Sequence, residues 1–224
     1  MAVANLLNNW LARNPVMYVI TCVTATAALL MIARWDGLTP EELGLDAAGM
    51  RRGLRWAPVL AGVVLLVLLL LVAVPSSREA FRDSRAADLS LGRLLWGVLV
   101  RVPFGTVLLE ETAFRGVLWA MIRRRHGTAW ATAVSSLLFG LWHLLPSHGL
   151  NRSNAAVASV FGDGPAAVAS TVAVAIAATA AAGVVLCEVR RRSGSLLAPA
   201  ALHWSVNAFS YALAWAAPRW WLDS

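Results

Sequence analysis

This chain of 224 residues contains no lysine, only two cysteines and few charged residues of any kind. All 19 basic residues are arginine, which we interpret as a coding bias of the genome and not as a property of function. Only 14% of the residues are charged and 59% are hydrophobic, whereas soluble domains have about 25% charged and about 45–50% apolar residues. The shortage of charge therefore excludes an ordinary soluble domain.

The two cysteines, Cys22 and Cys187, are far apart, and each lies in an apolar stretch. A disulfide framework needs more cysteines, and a cysteine metal site needs closer spacing. We expect both to be small buried hydrophobic residues. The chain also lacks a His-Glu-x-x-His sequence, the motif that places two zinc ligands on one face of a helix.

The apolar residues are gathered in runs of about twenty, the length that an α-helix needs to cross about 30 Å of hydrocarbon. They predict an all-α, polytopic transmembrane helical bundle of about six spans, forming a single integral membrane domain over residues 1–224. Short surface helices within 34–56 and at 154–161 would bring the number of helices to seven or eight. The predicted spans are 16–33, 57–74, 91–122, 128–145, 165–187 and 195–217.

The basic residues flank the apolar runs and give a formal net charge of +7. Orientation in a membrane and attraction to anionic lipid explain this placement better than nucleic acid does, so we expect no nucleic-acid partner. Six spans would put ten arginines on one side and seven on the other. The two triplets, 123–125 and 190–192, fall on the same side, which we place in the cytoplasm.

Three charged residues, Glu110, Glu111 and Arg115, lie inside the third predicted span. A charge in the middle of a membrane helix costs about 2.5–3.5 kcal/mol, so such residues indicate function. Glu111 and Arg115 are spaced i, i+4 and share a face, so Arg115 can neutralise Glu111. Glu110 projects about 100° away and needs a partner from another helix.

The candidate partners are His143 near the end of the fourth span and His203 in the sixth, with Asn207 one turn beyond His203. At about 1.5 Å per residue from the arginine-rich ends, Glu110, His143 and His203 lie at depths of about 20, about 27 and about 17 Å. Tilted helices would bring these depths together. The spacing permits a common site.

A buried carboxylate with two imidazoles and an amide suits the attack of water on a carbonyl group. The carboxylate is a general base for water, one histidine can orient that water, and the other histidine and the amide can stabilise the oxyanion. Peptide or amide hydrolysis is the natural reaction class. One carboxylate and two imidazoles also suit zinc with water as the fourth ligand, so at this point a metal site remains an alternative.

Two further functions fit the same polar residues. A transporter would use them to relay protons, but its expected internal repeats and matching broken helices are missing from the sequence. A non-catalytic membrane scaffold or bacteriocin-immunity protein would bind a partner through the polar pocket.

Three motifs on three predicted helices resemble those of the CAAX-protease and bacteriocin-processing family of intramembrane endopeptidases, also called Rce1-like or Abi proteins. The resemblance covers about residues 90–215, and the segment 194–199 that leads into the third motif is also typical of the family. In chain order the motifs are Glu110-Glu111-x-x-x-Arg115, Phe139-x-x-x-His143 and His203-x-x-x-Asn207.

The resemblance implies that Glu110 activates water with the help of His143, while His203 and Asn207 form the oxyanion hole. It favours a mechanism without bound metal, so we expect no cofactor. The implied partners are membrane lipid and a membrane-embedded or lipidated polypeptide substrate, in a bacterial plasma membrane. The prenylated CAAX substrate of eukaryotic relatives does not carry over. The side chains that would keep the site in shape are Glu111, Arg115 and Phe139.

Overall fold

The computed structural model describes residues 14–162 and 164–220, and within these ranges it is helical, with a single isolated β-bridge between Asp83 and Asn154. This confirms the predicted all-α class. Short helices at Pro40–Leu43, Ser84–Ala87, Leu150–Ser153 and Ala155–Phe161 and a 3₁₀ turn at Pro75–Phe81 lie in the connections. The long helices are α1 (Pro15–Trp35), α2 (Ala47–Ala73), α3 (Leu91–Trp142), α4 (Pro165–Ser193) and α5 (Leu197–Trp220).

Gly127 divides α3 into a first arm, residues 91–126, and a second arm, residues 128–142. Its φ of 81° and ψ of 177° are not helical, and glycine adopts a positive φ at little cost. The second arm folds back along the first, since Ser135 Oγ donates to the carbonyl oxygen of Phe114 over 2.7 Å. The break confirms the predicted boundary between the third and fourth spans.

The first arm departs from α-helical geometry on both sides of the two glutamates. π-helical turns cover Gly97–Val107 and Thr112–Leu118, with α-helical Leu108–Glu111 between them. The amide of Leu108 donates to the carbonyl of Pro103, five residues back. The sequence predicted a regular helix here, because apolar runs do not distinguish π from α geometry. π-Helical turns are rare and frequent at functional sites.

Glycine allows α4 to pack closely against the second arm of α3. A Cβ on Gly140 would lie 2.7 Å from the carbonyl oxygen of Ile176, and one on Gly183 would lie 3.0 Å from Ser136 Cα. Small residues let membrane helices approach in this way. Gly140 and Gly183 thus lie at the contact between the second arm of α3 and α4.

The arginine clusters meet at one end of the bundle, which we call the arginine-rich end. Arg124 is within 2.8 Å of Glu42 and 3.6 Å of Asp36, and Arg190 Nη2 donates to the carbonyl of Glu42 over 2.8 Å. Because Arg190 and Arg124 belong to different triplets, the predicted grouping of the two triplets on one side is confirmed. One of the seven arginines predicted for the opposite side, Arg13, lies outside the described residues.

Four helical stretches of the described chain are long and apolar enough to cross a membrane: Pro15–Trp35, Pro40–Ala73, Leu91–Trp142 and Pro165–Ser193. Their apolar side chains face outward, as lipid contact requires; Leu66 and Leu70 are 58% and 59% exposed. The prediction of six spans counts the two arms of α3 separately and adds α5. That number stays a prediction.

Several predicted helix boundaries are wrong. The second long helix begins at Ala47 and not at residue 57, because Asp46 caps it by accepting from the amides of Ala48 and Gly49. The fourth span ends at Trp142 and not at residue 145. The connection between the second and third predicted spans contains a 3₁₀ turn at Pro75–Phe81 and a short helix at Ser84–Ala87.

Other local predictions are confirmed. Thr39 and Glu42 form a capping box at the start of the short helix within 34–56, and the short helix predicted at 154–161 is present at Ala155–Phe161. Cys22 and Cys187 are both buried, as predicted, and are not joined in a disulfide.

Candidate active site

Glu111 accepts two hydrogen bonds on a single carboxylate oxygen. Arg115 Nη1 donates to its Oε1 over 3.0 Å, as the i, i+4 spacing predicts, and His203 Nδ1 lies 2.8 Å from the same atom. Because Glu111 and Arg115 are 1% and 0% exposed, the two charges neutralise each other away from solvent. A carboxylate only accepts, so Nδ1 of His203 carries a proton and Nε2 is the nitrogen left for other contacts.

Glu110 is held by a tryptophan. The indole Nε1 of Trp142 donates to Glu110 Oε1 over 2.9 Å. The other oxygen, Oε2, lies 3.8 Å from His203 Nε2, which is beyond hydrogen-bond distance. Oε2 is buried and makes no hydrogen bond within the described part of the chain. One oxygen of this carboxylate is thus positioned, and the other is available to a reactant.

Phe139 lies between Arg115 and the two histidines. The guanidinium carbon of Arg115 is 3.9 Å from the centroid of the Phe139 ring. The ring centroids of His143 and His203 lie 4.7 and 5.9 Å from the same centroid, both in T-shaped geometry. Arg115 Nε and Nη2 make no hydrogen bonds to described residues, and the face of an aromatic ring attracts such a cation. Phe139 therefore stabilises the buried guanidinium as well as the position of the histidines.

His143 lies at the C-terminal end of the second arm and is half-buried. Its Nδ1 donates to the carbonyl of Phe139 over 2.8 Å, which leaves Nε2 for other contacts. Between His143 and the two glutamates, the described residues show no hydrogen bond. Its link to the cluster is the ring contact with Phe139, so the structure brings it beside the cluster and not into contact with Glu110.

Asn207 lies one turn beyond His203 in α5, about 6 Å further along the helix axis. It is half-buried, and its amide makes no hydrogen bond to any residue that the structure describes. Within a bundle a side-chain amide is usually bonded to a neighbouring helix. This amide is instead free to bind a ligand.

Trp142 is the residue that reasoning from the sequence missed. It directly precedes His143, and a buried tryptophan generally needs a partner for its N–H group. That requirement, together with the unpartnered Glu110, was the available signal.

An apolar cavity of about 480 Å³ opens beside the site. It lies between α1 and both arms of α3, and Leu29, Phe114 and Trp142 are among its lining residues. Trp142 therefore contacts the cavity and donates to Glu110. The volume lies within the range of about 300–1,000 Å³ that small-molecule sites occupy.

In residues 14–162 and 164–220 there is no group of three or more His, Cys, Asp or Glu side chains arranged to hold a metal ion. The zinc set considered from the sequence, Glu110 with His143 and His203, is not such a group among the described residues.

The helical bundle and the buried carboxylate–histidine cluster define an integral, multi-pass membrane protein with a polar site inside the bundle. The sequence model of the family described as Type II CAAX prenyl endopeptidase Rce1-like matches residues 92–209, which is more than half of the chain. The chain belongs to this family of proteases, and the match includes all three motifs. No curated protein and no solved structure matches the chain.

Proposed function

We propose that this protein is an intramembrane endopeptidase that hydrolyses a peptide bond of a membrane-associated or lipid-modified polypeptide. The observation that carries the proposal is the asymmetry of Glu110. Trp142 holds Oε1, whereas Oε2 is buried without a hydrogen bond to the described residues. A general base needs both a fixed orientation and a free oxygen.

In the proposed reaction Glu110 Oε2 accepts a proton from water as the water oxygen attacks the carbonyl carbon of the peptide. The carbonyl becomes an oxyanion, and a new C–O bond forms. Glu110 then returns the proton to the peptide nitrogen, the C–N bond breaks, and an acid and an amine leave. No group outside the chain, the peptide and water is required.

Charge balance supports a protonated His203 in this reaction. Two ionised glutamates, Arg115 and an imidazolium sum to zero in a site where unbalanced charge is costly. When Glu110 takes the proton it becomes neutral, and the negative charge of the new oxyanion keeps the net charge of the site at zero. His203 Nε2, which lies 3.8 Å from Glu110 Oε2, is then a charged donor close to the reacting atoms.

Asn207 and His143 complete the proposed site. The unbonded amide of Asn207 is the second donor to the oxyanion, one turn from His203. His143 keeps its Nε2 free because Nδ1 is occupied by the carbonyl of Phe139. We assign His143 to orienting the water. Since His143 makes no hydrogen bond to Glu110, the water and the bound substrate would have to lie between the two side chains.

The cavity beside Trp142 supports an apolar substrate group. Its lining is made of aliphatic and aromatic side chains from α1 and α3, so a lipid chain in it would bury apolar surface. A lipid-modified peptide seated there would present its backbone near Glu110.

The test compares membranes of cells that express the wild type, Glu110→Gln or Glu79→Gln. Peptide termini are mapped by mass spectrometry. Loss of a general base lowers the rate about 10²–10⁴-fold, so termini made by the wild type should be missing with Glu110→Gln. Glu79 has the same side chain, lies in the 3₁₀ turn and is 48% exposed, so Glu79→Gln should cleave normally.

The proposal fails if Glu110→Gln produces the same termini at the same rate as the wild type. Thermal unfolding of the purified variants shows whether Glu110→Gln folds. A variant that melts near the wild-type temperature and does not cleave supports a catalytic role. Any change shared with Glu79→Gln would reflect loss of a carboxylate in general.

A further inference from the structure

A second cavity, of about 440 Å³, opens at the arginine-rich end of the bundle. Arg123, one of its lining residues, is thirteen positions from Glu110 in the same helix arm, or about 20 Å by helical rise. The cavity is therefore distinct from the candidate active site. We call it the arginine pocket; its charged lining residues are Arg52, Arg123, Arg190, Arg191, Glu41 and Asp46.

Positive charge predominates in the arginine pocket, with four guanidinium groups against two carboxylates. Arg191 is paired outside the lining, with Glu188 at 2.7 Å. In the ranges that the structure describes, no carboxylate lies within ion-pair distance of the other three arginines. Asp46 caps α2 and, like Glu41, makes no ion pair with them. The pocket thus holds more cation than its own acids balance.

Arg190 is the buried member of this group. It is 2% exposed, and its Nη2 donates to the carbonyl of Glu42 over 2.8 Å. Its Nε has no hydrogen-bond partner among the described residues. A buried charge without a counter-charge is costly, so an anion in the pocket would satisfy both the charge and the open donor.

The other unpaired arginines are also held in place. Arg52 Nε donates to the carbonyl of Ser193 over 2.8 Å, which fixes it beside the end of α4. The guanidinium carbons of Arg123 and Arg190 lie 5.1 and 5.4 Å from the ring centroid of Trp119. One buried indole therefore orients two cations toward the same cavity, and the pocket is a preformed arrangement of donors.

We propose that the arginine pocket binds a phosphate group, carried either by inorganic phosphate or by the headgroup of an anionic phospholipid. The planar, forked guanidinium matches the oxygens of phosphate and donates two parallel hydrogen bonds. The pocket lies at the end of the helices, where headgroups meet a membrane protein. This proposal is independent of the proposed proteolysis.

The first experiment uses inorganic phosphate and the purified full-length chain in detergent. Binding is followed by the rise in unfolding temperature over a phosphate titration, with chloride at equal ionic strength as the reference. In the second experiment the chain is reconstituted in phosphatidylcholine vesicles with or without phosphatidylglycerol. Native mass spectrometry then counts the lipids that stay bound after extraction. Stabilisation by phosphate alone identifies the free anion, and selective retention of phosphatidylglycerol identifies the headgroup.

Matched variants locate the binding. Arg123 is exposed and makes no ion pair with the described residues, so Arg123→Gln should fold and should weaken binding at least about tenfold. Arg192 is adjacent in the chain to Arg191 but does not line the pocket, and it pairs with Glu188. Arg192→Gln therefore removes the same charge without removing a lining side chain, and it should bind as the wild type does. Arg190→Gln, if it folds, should also lose binding.

The proposal is overturned if neither probe binds the wild type above its reference. It is equally overturned if Arg192→Gln weakens binding as much as Arg123→Gln does. Binding that survives both Arg123→Gln and Arg190→Gln would place the anion elsewhere.

Discussion

Trp142 donates its indole hydrogen to Glu110 Oε1 over 2.9 Å, and so joins the two arms of α3 at the candidate active site. The bond fixes one oxygen of the carboxylate and leaves Oε2 facing His203. In this arrangement the tryptophan positions the proposed base without touching the substrate carbonyl.

Replacing Trp142 by phenylalanine should lower kcat about 10–100-fold. The reason is the loss of one hydrogen bond to a charged group, about 1.5–3 kcal/mol, while the ring contact with Phe114 can remain. Steady-state cleavage kinetics are the measurement. Trp215→Phe is the control, because it removes an indole bond to the carbonyl of Leu89 away from the site; an equal loss in both variants would contradict a positioning role for Trp142.

Asn207→Ala should separate catalysis from stability. The amide makes no hydrogen bond to the described residues, so the unfolding temperature should stay within about a degree or two, as for other substitutions that break no named contact. Removal of an oxyanion donor should nevertheless lower kcat about 10²–10³-fold. Thermal unfolding and cleavage are measured on the same preparation. If activity persists at the wild-type level, Asn207 is not a donor to the oxyanion.

Arg115→Met should strongly destabilise the protein. It leaves the Glu111 carboxylate buried with His203 as its remaining partner, and breaking a buried ion pair costs about 3–5 kcal/mol. The double variant Arg115→Met/Glu111→Gln should recover part of that loss, because no charge is left unpaired. Equilibrium unfolding in detergent measures Arg115→Met, Glu111→Gln and the double variant. Additive losses would show that the two side chains do not depend on each other.

Gly140→Ala should push α4 away from the second arm of α3. The new methyl would lie 2.7 Å from a backbone oxygen, Ile176 O, and overpacking of this kind costs about 1–3 kcal/mol. Because Gly140 lies between Phe139 and Trp142, cleavage should fall as well. Gly62→Ala is the matched control, since nothing lies within 4 Å of its new methyl, and it should melt at or above the wild-type temperature.

The proposed mechanism also predicts that activity does not depend on a bound metal. Purified active protein should contain no stoichiometric zinc by elemental analysis, and a chelator should leave cleavage unchanged. Stoichiometric zinc that disappears in His143→Ala would show that this histidine is a metal ligand and would overturn the mechanism. If the wild type contains no stoichiometric zinc, His143→Ala should reduce cleavage with no change in metal content.

Much of the candidate site could be predicted from linear spacing. The ion pair of Glu111 with Arg115 follows from the i, i+4 rule, and a buried charge in an apolar run marks function wherever the helix packs. The location of His143 could not be predicted in the same way. Its depth along its own helix permitted contact with Glu110, but the C-terminal end of that helix places it against Phe139.

Helix boundaries also divide into those that the sequence predicts and those that depend on local caps and packing. The break at Gly127 and the end of α2 follow from glycine, proline and the lengths of the apolar runs. The earlier start of α2 depends on Asp46 as a cap, and the π-helical turns around the glutamates depend on how the first arm packs. Hydropathy does not distinguish these backbone geometries.

The sequence by itself determined that this protein lies in a membrane, that it is all-α, and which few charged residues lie inside its apolar helices. Those properties depend on residue type and on helical periodicity, which are local. Only the tertiary structure decided that Trp142 holds Glu110, that His203 contacts Glu111 through one nitrogen and faces Glu110 with the other, and that arginines from three helices surround one pocket. These contacts join residues distant in the chain, so they depend on how the helices pack.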